Sequence, residues 1–168
     1  MRVLGIDCGG EYTGYGVVEQ DDAGGLHHVC SGAIRLSTRQ ALELRLKAVS
    51  DALDQIIALH QPELVAIEDV FYAVNVKSAL KLGHVRGVAM LAAAQAKLEV
   101  VAYSPLSIKS AVVGYGRAEK SQVQLMVARL LKLAAPPEPP DVADALAIAI
   151  CHLHTSATLQ RQRVAAGM

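Results

Sequence analysis

Cysteine is scarce in this chain. Cys8, Cys30 and Cys151 are its only three, and no two of them form a C-x-x-C pair. An odd, scattered set argues against a disulfide framework and fits a reducing compartment, so a cytoplasmic protein is expected. Aromatics are few as well: there is no tryptophan, and Phe71 is the sole phenylalanine. No apolar stretch is long enough to span a bilayer, since "GVAMLAAAQA" is bracketed by Arg86 and Lys97. Met1 leads directly into strand-like residues without a basic segment and apolar run behind it, so no signal peptide is expected. Internal repeats are absent too, which removes solenoids from consideration.

Net charge is also missing, with 16 Lys and Arg against 16 Asp and Glu, but the charges are segregated. Residues 1–69 hold 5 basic and 11 acidic side chains, whereas residues 70–134 hold 9 basic and 2 acidic ones. Such asymmetry is compatible with an acidic site beside a basic face. Apolar residues make up 52% of the 168, enough for one globular domain with a substantial core.

Residues 2–8, 13–19 and 27–36 read as an antiparallel meander of three strands. Leu42, Leu46, Val49, Leu53 and Ile56 recur at helical spacing, and Pro62 ends that helix. "LVAIED" at 64–69 is a short continuous apolar run, as an interior parallel strand requires. A helix over 76–97, a strand over 99–104, a short helix to Val113 and a helix over 119–133 follow. The proline-rich 135–140 is a rigid linker, and a last helix runs from Asp141 to about 157. The expected fold is α/β, with a five-stranded mixed sheet and helices on both faces. Residues 1–157 form its single domain, and a loose tail follows over 158–168.

Four carboxylates stand in apolar settings. Asp7 interrupts "VLGIDC", Glu68 closes "LVAIE", and Asp141 and Asp144 share one face at the start of "DVADALAIAI". Asp7 alone could cap the Gly9-Gly10 turn, and an acid in a first helical turn is favoured by the helix dipole. Neither explains Asp144 ahead of so apolar a helix. Four such acids would repel one another without cations between them, and oxygen donors suit Mg²⁺ or Mn²⁺. A pair of such ions can clamp the attacking and leaving oxygens of a phosphoryl transfer.

"LGIDCGGEYTGYGVV", "AIEDVFYAVNVKSALKLGHVRGVA", "IKSAVVGYGRAEKSQVQLMV" and "DVADALAIAICH" resemble, in this order and spacing, the RuvC-type Holliday junction resolvases. The resemblance covers residues 1–155 and departs from the family's usual residues at Cys8, Gly10 and Glu11. It implies a ribonuclease H-like fold and a homodimer that uses the helix near 76–97. It also implies paired nicks at a four-way DNA junction, in recombination and repair, and a branch-migration motor as partner. Asp7, Glu68, Asp141 and Asp144 would be the catalytic metal ligands for two ions per site, with Asp7 bridging them. The products would carry a 5′-phosphate and a 3′-hydroxyl. Phe71, which could otherwise fill the core, would be a wedge among unstacked junction bases. Lys109 and Lys120 would face DNA phosphates, with Arg117, Lys77, Lys81 and Arg86 as further DNA-binding candidates.

Other functions remain open on the residues alone. A strand ending in "GID-x-G" before a glycine hairpin also cradles phosphate in actin-like and sugar-kinase-like ATPases, although 168 residues supply one lobe where those enzymes need two. A non-catalytic junction-binding module is a third possibility, and all four acids speak against it. "CHLH" at 151–154 invites zinc, but no partner pair stands out elsewhere.

Overall fold

The computed structural model describes residues 1–69 and 76–165, with side chains from residue 79 in the second helix and to residue 158 in the last. Five strands form one sheet: β1 (Arg2–Cys8), β2 (Tyr12–Gln20), β3 (Leu26–Arg35), β4 (Leu64–Glu68) and β5 (Glu99–Tyr103). Their spatial order is β3-β2-β1-β4-β5. The first three are an antiparallel meander, and β1, β4 and β5 run parallel. This is the mixed sheet that the apolar runs predict.

The five helices are α1 (Leu42–His60), α2 (Val76–Gln95), α3 (Pro105–Val113), α4 (Lys120–Leu130) and α5 (Pro140–Ala165). They divide between the two faces. On one, Leu4, Ile6, Val17, Val65 and Ile67 meet Val49 and Leu53 of α1 and Val85, Ala89, Ala92 and Ala93 of α2. On the other, Val3, Val18, Leu64 and Ala66 meet α5, which Ile108, Val112, Val123 and Val127 of α3 and α4 cover from outside. Fully burying each large aliphatic side chain contributes roughly 1.5–3 kcal/mol.

Local signals set the helix limits. Gln61 takes a left-handed conformation (φ 46°) that closes α1, and Pro62 follows, as its position predicts. Ser104 caps α3, accepting from the Ser107 N–H at 3.1 Å with Pro105 in the first turn, and Gly114 (φ 95°) ends it. Glu119 and Gln122 form a reciprocal capping box at the start of α4.

Two helix ends differ from expectation by more than two residues. α4 stops at Leu130, short of 133: Lys132 adopts φ 55° and the Leu133 N–H donates to the Ala128 carbonyl at 2.8 Å, a tight turn that keeps Leu131 in the core. α5 continues to Ala165, past the expected end near 157, because residues 158–165 contain neither glycine nor proline. Among the described residues, no helix is long and apolar enough to cross a membrane.

Candidate active site

β1 and β4 lie side by side and parallel, with Gly5 opposite Ala66 and Ile6 opposite Ile67. One residue further along that register, Asp7 and Glu68 stand next to each other at the carboxyl ends of both strands. Strand alternation points both away from the Ile6–Ile67 face, towards α5.

Glycine brings α5 to them. A Cβ on Gly5 would lie 2.0 Å from the Ala145 carbonyl oxygen, and one on Gly14 would lie 2.0 Å from the Asp141 carbonyl oxygen. Gly14 is the cross-strand partner of Asp7. Without side chains at these points, the first turns of α5 rest directly on the sheet. The first half of the helix is buried almost throughout: Val142, Ala143 and every residue from Ala145 to Ile150 are at most 2% exposed. Asp141 and Asp144 escape this burial only partly.

The result is an open cleft of about 300 Å³ lined by Asp7, Glu68, Asp144, Lys109 and Lys120, walled by Ile108, Val123 and Ile148. Asp141 is not in the lining. It stands on the far side of the α5 start, with one carboxylate oxygen 3.1 Å from where a Gly9 Cβ would be. Lys120 Nζ reaches an Asp144 carboxylate oxygen at 2.5 Å.

The charges are in tension. Burial, then the negative charges of Asp144, Glu68 and Asp141, push the Asp7 carboxyl up to about 7. Burial and Asp144 also raise Glu68. Burial raises Asp144 despite the hydrogen bond and charge of Lys120. Lys120 itself stands above its ordinary value because its bond to Asp144 and the surrounding acids outweigh its desolvation. Cys8 is pushed up to about 12 by burial and the neighbouring Asp7, so its thiol stays protonated and packs rather than reacts.

Among the described residues no three His, Cys, Asp or Glu side chains are gathered into a ready-made metal cage; Lys120 is the cation Asp144 holds. The donors nevertheless fit hard divalent ions. They are all carboxylate oxygens, and a cation among them would relieve the repulsion that raises Asp7.

Residues 3–152 match the model of a family described as crossover junction endodeoxyribonuclease RuvC. The chain belongs to the RuvC family. It is 66% identical over 166 residues to the crossover junction endodeoxyribonuclease RuvC of Koribacter versatilis (strain Ellin345), covering 99% of this chain and 100% of that relative. It is 57% identical over 169 residues to the protein so described in Acidobacterium capsulatum, covering 97% and 99%. A solved structure described as T. thermophilus RuvC in complex with Holliday junction substrate matches it with a TM-score of 0.86 at 30% identity, over 94% of this chain and 96% of that one.

The other candidate residues fall into distinct places in this RuvC fold. Lys109 and Lys120 are in the cleft. Arg117 and Lys81 are exposed and line no part of it. Arg86 is turned inward: its guanidinium lies 3.5 Å from an Asp69 carboxylate oxygen and donates to the Glu68 carbonyl at 3.4 Å, so it braces the strand end that carries Glu68. Phe71 lies outside the described residues, as does the side chain of Lys77. The 151–154 stretch is occupied with packing: His152 Nδ1 bonds the Tyr103 hydroxyl at 2.8 Å, and His154 Nδ1 donates to the Ala111 carbonyl at 2.9 Å.

The sequence reading missed two features. Lys120 as the counter-charge of Asp144 has no local signature, because the two are 24 positions apart on different helices. Arg35 and Arg39 line a polar groove with Glu11 and Tyr12, and nothing in "IRLSTRQ" separates them from ordinary surface arginines.

Proposed function

We propose that this chain is a structure-selective endonuclease that resolves four-way DNA junctions by paired nicks, in recombination and repair. The observation that carries this is a RuvC-family fold whose Asp7, Glu68 and Asp144 meet in one cleft with Lys109 and Lys120. Asp7, Glu68, Asp141 and Asp144 are the carboxylates that would hold two Mg²⁺ or Mn²⁺ ions. Such ions supply Lewis acidity at the scissile phosphate and to the attacking water. Asp7, on the strand between β4 and the strand that seats the start of α5, would serve both ions. Lys109 and Lys120 orient the phosphate from the other wall of the cleft, Lys120 moving off Asp144 to do so. The water oxygen bonds to phosphorus as the bond to the 3′ oxygen breaks, leaving a 5′-phosphate and a 3′-hydroxyl.

The junction's two opposed nicks call for two active sites related by symmetry. The outward face of α2 suits a homodimer: Leu80, Met90 and Leu91 are 59%, 40% and 54% exposed, and a Cβ on Gly83 or Gly87 would meet nothing within 4 Å. Phe71, three residues past Glu68, is assigned as the wedge at the junction centre, and a branch-migration motor as the partner that delivers junctions. The free cysteines suit work in the cytoplasm.

Incubating a synthetic four-way junction with Mg²⁺ or Mn²⁺, beside duplex DNA and ATP, tests the activity. Symmetric nicks confined to the junction are expected. ATP hydrolysis without nicking would favour the one-lobe ATPase, and binding without nicking the non-catalytic module.

A further inference from the structure

The sheet continues past the metal-binding carboxylates on the side away from Lys109 and Lys120, and it continues with positive charge. Asp7 pairs with Gly14, and Gly14 with Ala33. The next residues on that face, two positions along, are Tyr12 and its partner Arg35. Arg35 therefore projects from the same sheet face as Asp7, at the same end, two strands away. Strand spacings of about 4.8 Å and rises of about 3.4 Å put the two Cα atoms roughly 12 Å apart. The start of α5, seated on Gly14, stands between this flank and the lysines.

Arg35 and Arg39 are both exposed and line one shallow groove with Tyr12, Ser37, Thr38 and Glu11. Among the described residues neither arginine has an ion pair, although Glu11 shares the groove. Two guanidiniums against one carboxylate leave the groove positive. The fork geometry of arginine matches phosphate. At about 3.4 Å of rise per nucleotide in a strand, a 12 Å offset lies within a few phosphates of the scissile one.

We propose that Arg35 and Arg39 grip a backbone phosphate of the cleaved strand on the flank opposite Lys109 and Lys120, so that the strand is held on both sides of the metals. This rests on the junction-cleavage function above. The two arginines are positioning residues: they fix which phosphate rests over Asp7 and take no part in the bond change.

The test is the Arg35→Ala/Arg39→Ala double variant on a synthetic four-way junction, with Arg39→Ala alone in case the strand-end change disturbs folding. Expected are an unchanged melting temperature, a KM raised about tenfold with kcat within about threefold, and a log K against log salt slope smaller by about one to two. A scan of single methylphosphonates, which remove one phosphate charge each, should weaken wild-type binding at one or two linkages beside the cut. Those same linkages should cease to matter in the double variant, and Arg35→Lys/Arg39→Lys should restore the salt slope. An unchanged slope, or methylphosphonate losses that persist in full in the variant, overturns the proposal, as does a wild type that binds no junction. A wild type that binds with the expected phosphate profile but never nicks refutes the junction-cleavage function and leaves the arginine contact supported.

Discussion

Within β1, odd and even positions do different work. Leu4 and Ile6 face α1 and α2 and are 0% and 1% exposed. Their neighbours Gly5 and Asp7 face α5, one to let the helix approach and the other to meet its acids. Both faces of the sheet carry a hydrophobic core, and Val3 joins the one under α5. Only the Asp7 end of the α5 face is left thin and charged, at a cost in stability that the two cores must offset. Alternation at period two lets a seven-residue strand serve both.

Breaking the charged side should cost activity and spare the fold. Asp7→Asn is expected to lower junction cleavage on the order of a thousandfold or more. Its metal-free melting temperature should be equal to or above that of wild type, because a carboxylate burdened by burial and three like charges has been neutralised. Near wild-type cleavage would remove Asp7 from the metal site.

Breaking the apolar side should do the reverse. Ile6→Ala should cost about 2–5 kcal/mol in chemical unfolding, while cleavage per folded molecule stays close to wild type.

The contrast sharpens with pH. Asp7 is held at about 7 in the folded protein against an ordinary 3.8. Between these values the folded state holds more protons than the unfolded one, so stability must fall as pH rises. Without divalent ions, unfolding free energy should decline by on the order of a few kcal/mol from about pH 4 to about pH 7 and level off above, with the raised Glu68 and Asp144 adding in the same sense. Mg²⁺ should flatten the decline, and Asp7→Asn should remove most of it. A metal-free stability that rises across this range would contradict the charge tension in the cleft.

Gly14→Ala tests the boundary between the two roles. Its new methyl group would press on the Asp141 backbone, and lifting α5 should cost about 1–3 kcal/mol together with a loss of cleavage. Unimpaired cleavage would mean that α5 can move without spoiling the site.

The main lines of this arrangement were legible in the chain. Asp7 stands out because it interrupts a short apolar strand, Glu68 because it closes one, and Asp144 because the unbroken apolar run "ALAIAIC" follows it; burial is written in composition, and an acid amid it is conspicuous. The tight seats for α5 at Gly5 and Gly14 were not legible, since they depend on a helix some 130 positions away. Arg86 reads as a surface base until Asp69 and the Glu68 carbonyl are seen beside it. The same holds for Arg35: its significance lies in a register across two strands, and register is a property of pairing rather than of local sequence.

The placement of α5 also bears on synthesis. Asp7 and Glu68 leave the ribosome early, while Asp144 comes 137 positions after Asp7, a delay of roughly ten to thirty seconds at typical bacterial and eukaryotic elongation speeds. Because α5 lies between the sheet and α3 and α4, the core on that face is incomplete until it arrives. A nascent or truncated chain thus carries half the acids and no means of gathering them with the rest. With the four acids as the catalytic set proposed above, cleavage has to wait for the last helix, which makes α5 the safety catch of the chain during synthesis.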